Sequence, residues 1–209
     1  MFGMELERTG GAGDRGIDLR GWWSPPSLTT AQQATPDRIR IVAQCKCQDE
    51  GGKKMGPVLV REMEGVVFRA SLPPSSLSVP PTEANEDGEE APLAGIILSS
   101  SGFSKQALLQ VRSSSVPLAA MHVLSEPLPP STSGSGDETD SAGKVDRCVS
   151  IVWSDRFGSS THGLLDGGME VRWVRSLGRR GGGGEMEELG RPVIYRGGSP
   201  LRLPSPAGL

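Results

Sequence analysis

Apolar and polar residues alternate in the first part of the chain as they do along strands. Met4–Arg8 places Met4 and Leu6 on one side, and Gly16–Trp23 reads as a second strand that ends in two tryptophans. Arg38–Cys47 sets Ile39, Ile41 and Ala43 against Arg40, Val42 and Gln44, so three strands in an antiparallel meander are predicted. The period then changes. In Pro57–Ala70, Leu59, Met63, Val66, Val67 and Ala70 recur at helical spacing, with Pro57 suited to a first turn. Leu93–Leu98 is a continuous apolar run, the mark of a strand covered on both faces. Ser99–Ser101 offers a cap for a second helix through about Arg112, with Phe103, Ala107, Leu108 and Val111 on one side. Val116–Leu124 is another apolar strand. Strand–helix–strand succession implies a parallel crossover, so the predicted fold class is α/β with a mixed, helix-flanked sheet.

Two stretches break the pattern. Residues 71–92 are rich in Pro, Ser and acids, and their composition predicts a disordered insertion. Ser125–Lys144 is of low complexity, which predicts a linker over residues 125–147 and a core over residues 1–124. Cys148–Trp153, Met169–Val174 and Pro192–Arg196 are short strand candidates around the Gly-rich run Arg179–Gly184. They predict a peripheral β-rich extension over residues 148–209, with a disordered tail.

Composition narrows the chemistry. With 209 residues the chain is predicted to be one domain with insertions. Its three cysteines, Cys45, Cys47 and Cys148, are too few for a disulfide framework and point to a reducing or intracellular compartment. Cys and His are also too sparse for a zinc module, and Cys45 with Cys47 is better read as strand packing than as a ligand pair. No run approaches the ~18 apolar residues that span a bilayer, and no signal-peptide pattern follows Met1. The formal net charge is −3, yet Glu83–Glu90 holds five acids and Asp137–Asp140 three; removing those eight from −3 leaves +5. A nucleic-acid partner is therefore compatible with the charge, although no dense basic patch announces one.

One constellation carries candidate chemistry. Asp18 is predicted on the second strand, with Gln44 and Lys46 sharing a face of the third while Cys45 points away. If the strands pair, an acid, an amide oxygen and an ammonium converge on one spot suited to a metal and a phosphate. Gly11–Gly16 (GAGDRG) fits the GxGxxG pattern of dinucleotide binders, but that fingerprint needs a helix after the glycines, and IDLRGWW is strand-like. A turn that brings backbones close beside Asp18 is the better reading. Glu62, at the edge of the first helix's apolar face, is a further possible ligand or a solvated acid. Lys53 and Lys54 are loop residues within reach of a phosphate backbone. His122 reads as a satisfied core histidine and His162 as an exposed one, and one of Trp22 and Trp23 is expected in the core.

The run GGAGDRGID…VAQCK resembles the Mrr-like branch of the PD-(D/E)XK, or restriction-endonuclease-like, superfamily, whose last motif is often QxK. GWW, REMEG, LAGIILSSSGFSKQAL, PLAAMHV and IVW…GLLDGGMEV…PVIYRGG extend the likeness to the fungal mitochondrial family called "required for respiratory growth protein 7". The resemblance implies a three-layer α/β sandwich on a mixed central sheet, and metal-dependent hydrolysis of DNA phosphodiester bonds in mitochondria. Asp18 would bind Mg²⁺ or Mn²⁺, Gln44 would stand where a carboxylate usually sits, and the Cys45 carbonyl would complete the ligand set. Lys46 would orient the attacking water. The family pattern begins with a helix carrying a supporting Glu, and this chain starts after it, which predicts one sheet face uncovered. The alternative is a nuclease-fold protein that binds nucleic acid or a partner without cutting.

Overall fold

The structure is a computed structural model that describes residues 3–9, 11, 16–25, 38–47, 52–72, 91–127, 144–159, 161–174 and 190–201. The elements run β1 (Met4–Arg8), β2 (Leu19–Trp23), β3 (Ile39–Lys46), α1 (Pro57–Ala70), β4 (Leu93–Ser99), α2 (Lys105–Arg112), β5 (Leu118–Pro127) and β6 (Lys144–Trp153). A π-helical turn, Asp155–Ser159, then leads to β7 (Met169–Val174), β8 (Arg191–Arg196) and β9 (Ser199–Pro200). The first six strands form one mixed sheet in chain order, and the last three form a small antiparallel sheet. β1, β2 and β3 pair antiparallel, β3–β4 and β4–β5 parallel, and β5–β6 antiparallel. The two parallel steps are made through α1 and α2, as the strand–helix–strand succession predicts. The fold is α/β.

The two faces of the sheet bury different residues, which is why its middle strands read as continuous apolar runs. Toward the helices, Val42, Leu93, Ile97, Leu118 and Ala120 meet Leu59, Val60, Met63 and Val67 of α1 and Ala107 and Val111 of α2. Gly95 of β4 permits this approach, because a Cβ there would collide with Val67 and crowd Leu118 and Met63. On the other face, Trp23, Ile39, Ile41, Ala43, Ile96 and Met121 are covered by Phe157, Leu165, Met169 and Ile194. Phe157 is stacked between Trp23, with ring centroids 5.9 Å apart, and Trp153, 5.6 Å away. The layers are therefore helices, central sheet and small sheet.

Several expectations are corrected. The C-terminal strands are not peripheral: Cys148–Trp153 belongs to β6, which begins at Lys144 and pairs with β5 along Ala119–Pro127. The expected 125–147 linker is thus strand at both ends, with residues 128–143 outside the described residues. The face expected to lie uncovered is sealed by Phe157, Leu165, Met169 and Ile194, which come from short strands and turns and show no common period. The second helix starts at Lys105, with Ser104 as its cap accepting from the Ala107 N–H at 3.2 Å. Ser99 instead completes β4 opposite Lys46, and Phe103 bridges to Met55 before the helix begins. Residues 73–90, most of the first expected insertion, lie outside the described residues.

Candidate functional site

Three strand ends meet at Asp18. Its N–H donates to the Ala43 carbonyl and its own carbonyl accepts from the Thr9 N–H, both at 2.9 Å. Its carboxylate Oδ2 accepts from the Cys45 N–H at 2.7 Å. That carboxylate takes the place a ladder carbonyl would hold, so it lies at the edge of β3, in the plane of the sheet. Asp18 is not itself within the strand as expected, because β2 starts one residue later. Gly16, at φ +82°, turns the chain there and breaks the alternation: Ile17 is buried on the helix side, whereas Leu19 packs on the other face. Leu19 is the first residue of β2 in ladder register, opposite Ala43.

Gln44 and Lys46 follow Val42 onto the helix face, as the period of two requires. Gln44 is buried, and its Nε2 lies 3.5 Å from where a Cβ on Gly16 would stand. Lys46 is half-buried at the end of β3, opposite Ser99. Among the described residues no ion pair joins Lys46 to Asp18. The structure thus brings Asp18 against the backbone between Gln44 and Lys46, with those two side chains on one face. A groove of about 420 Å³ opens at Gln44, lined by Gly16 and Gln44 on one side and by Arg61, Glu62, Gly65, Val66 and Arg69 of α1 on the other, with Asp18 and Lys46 outside its lining.

The donor atoms singled out on these strands are of the kind a hard cation takes. The second Asp18 oxygen, the Gln44 amide oxygen and the Cys45 carbonyl are all oxygens, the class that Mg²⁺ and Mn²⁺ prefer. A strand residue sends its N–H and C=O to the same edge, so the Cys45 carbonyl faces Asp18 as its N–H does. The Cys45 thiol is a poor ligand, because burial, then the nearby Asp18 charge and Cys47, push its pKa up. Among the described residues no cluster of three His, Cys, Asp or Glu side chains is present, so the set is weak in charge.

Cys148 is pushed from 9.0 to about 11 by burial, with a backbone hydrogen bond at Ser150 opposing. Between those two values the folded protein keeps a proton that the unfolded chain has lost, so this thiol's contribution to stability declines as pH rises through that window. Iodoacetamide at about pH 8 is expected to modify exposed Cys47 first and Cys148 last, as read by peptide mass spectrometry. Equal rates at the two would contradict the burial.

The other singled-out residues have simpler places. His122 on β5 sits 3.1 Å from the Ser100 carbonyl through Nε2, and His162 is exposed beside Thr161. Lys53 and Lys54 are exposed, and so is Glu62, on the groove wall. Trp23 is the core tryptophan, while Trp22 lies half-buried under the Arg38 guanidinium, 4.2 Å from its ring centre. After Gly16 comes strand β2 and no helix, against a dinucleotide arrangement. Arg61 and Arg69 were not singled out from sequence, although their i, i+8 spacing around Gly65 puts all three on one side of a helix. Among the described residues no helix is long and apolar enough to cross a membrane. No protein-family model, curated protein or solved structure matches the chain.

Proposed function

We propose that this chain is a metal-dependent endonuclease-like protein of restriction-endonuclease-like fold, hydrolysing phosphodiester bonds in DNA, in fungal mitochondria by the resemblance of its motifs. The observation that carries the reading is the Asp18 carboxylate bonded to the Cys45 N–H, between Gln44 and Lys46. Asp18, Gln44 and the Cys45 carbonyl would hold Mg²⁺ or Mn²⁺. When bound, that ion supplies a water made nucleophilic near neutral pH and a positive charge at the phosphoryl oxygens. Lys46, on the same face as Gln44, orients the attacking water and offsets the charge that develops on the phosphorane. The buried Gln44 amide would offer an oxygen without adding a second negative charge, which would repel the substrate.

A second reading has its own support. Among the described residues Asp18 is the one carboxylate seen at the edge of β3, and one of its oxygens is already engaged. A protein that binds nucleic acid or a partner without cutting would need no more. Incubating the full-length protein with plasmid DNA and Mg²⁺ or Mn²⁺ separates the two. Nicked and linear products from the wild type, absent with Asp18→Ala and with Lys46→Ala, are the expected result. Binding in every variant with no cutting in any would leave the non-cutting reading.

A further inference from the structure

Helix α1 carries a glycine that its packing does not require. Gly65 is exposed in mid-helix, and a Cβ there would meet nothing within 4 Å. Glycine weakens a helix interior relative to alanine, so its presence has no basis in the fold. One turn away on either side stand Arg61 and Arg69, both exposed and, among the described residues, neither ion-paired. The three form a row about 12 Å long on one side of the helix. That row faces the groove whose far wall holds Gly16 and Gln44. Glu62 lies on the same wall, and the two guanidiniums outweigh its charge. The opposite side of α1 is spent on the core through Leu59, Val60, Met63 and Val67.

We infer that Arg61, Gly65 and Arg69 form a track for a nucleic-acid sugar-phosphate backbone leading to Gln44. Each planar guanidinium grips a phosphate through paired N–H donors, the geometry in which arginine exceeds lysine. Bare Gly65 lets the strand lie against the helix between the two grips. The track depends on the hydrolase reading only for what happens where it ends.

Fluorescence anisotropy tests it with the full-length protein in EDTA and labelled oligonucleotides of one sequence as duplex DNA, single-stranded DNA and RNA, over a range of KCl. The double variant Arg61→Gln/Arg69→Gln is expected to bind at least ~10-fold more weakly. Its slope of log K against log[salt] should fall by about 1.8 on duplex DNA, or about 1.4 on a single strand. The nucleic acid that shows the larger loss is the one the track accepts. Gly65→Gln is expected to keep or raise the Tm while also binding at least ~10-fold more weakly, which a purely structural role would not produce. Arg112→Gln removes an exposed charge from α2, outside the groove, and should leave the slope unchanged. An unaltered slope in the double variant, or full affinity in Gly65→Gln, would overturn the track. Cutting that needs Asp18 and Lys46 alongside such an unaltered slope removes the track alone. A lowered slope in a protein that never cuts removes the hydrolase reading alone.

Discussion

Trp23→Ala is expected to lose about 3–5 kcal/mol of folding stability, a large share of the ~5–15 kcal/mol that holds a domain together. Trp23 is 1% exposed at the end of β2, stacked on Phe157 from the C-terminal segment. Truncation leaves a cavity under that ring and loosens the cover of the second sheet face. Urea unfolding followed by circular dichroism reads the loss, and limited proteolysis should release the C-terminal segment from the variant first. Trp173→Ala is the contrast: Trp173 is 58% exposed, and its removal should cost no more than about 0.5 kcal/mol. Equal effects from the two tryptophans would mean that the small sheet does not seal the core.

The second large effect is on chemistry. Lys46→Ala is expected to slow metal-dependent cleavage on the order of 10²–10³-fold while oligonucleotide affinity changes little, because the ammonium acts on charge that appears in the transition state. Lys46 is the last residue of β3 and half-buried, so the fold should survive the change. Lys46→Arg keeps the charge but spreads it over a planar fork, and partial activity is expected. Single-turnover cleavage of a labelled duplex measures both variants. Cleavage at the wild-type rate by Lys46→Ala would remove that residue from the mechanism.

Much of the architecture was legible because period and composition agree in the elements nearest the core. Pro57–Ala70 was readable as a helix to both its ends, since Pro57 opens it and its buried residues recur at helical spacing. The parallel crossovers followed from apolar runs around helices. What escaped notice depended on contacts far apart in sequence. Cys148–Trp153 has a strand pattern, but nothing local says that it completes the central sheet beside β5. Phe157, Leu165 and Ile194 come from turns and short strands far apart in sequence, and only their common burial in one cluster with Trp23 reveals a layer.

The candidate site divides in the same way. Gln44 and Lys46 share a face because β3 is regular, so spacing alone placed them. Asp18 did not obey spacing, because the left-handed Gly16 and the bend after it rotate the chain between Ile17 and Leu19. Its carboxylate reaches β3 through a backbone N–H, a contact that no periodicity encodes. Arg61 and Arg69 passed unnoticed since lone arginines on an amphipathic helix are ordinary solvated residues until a groove is seen beside them.

The proposed cation site at Asp18 is tested most directly by titrating Mn²⁺ into the full-length protein with an oligonucleotide present, and following free Mn²⁺ by electron paramagnetic resonance. Asn at position 18 still offers an oxygen to the Cys45 N–H, so Asp18→Asn should fold as the wild type does. The wild type is expected to bind the ion at least ~10-fold more tightly than Asp18→Asn, with the same circular dichroism spectrum for both. Equal Mn²⁺ affinity in the two folded proteins would contradict a metal site at this carboxylate.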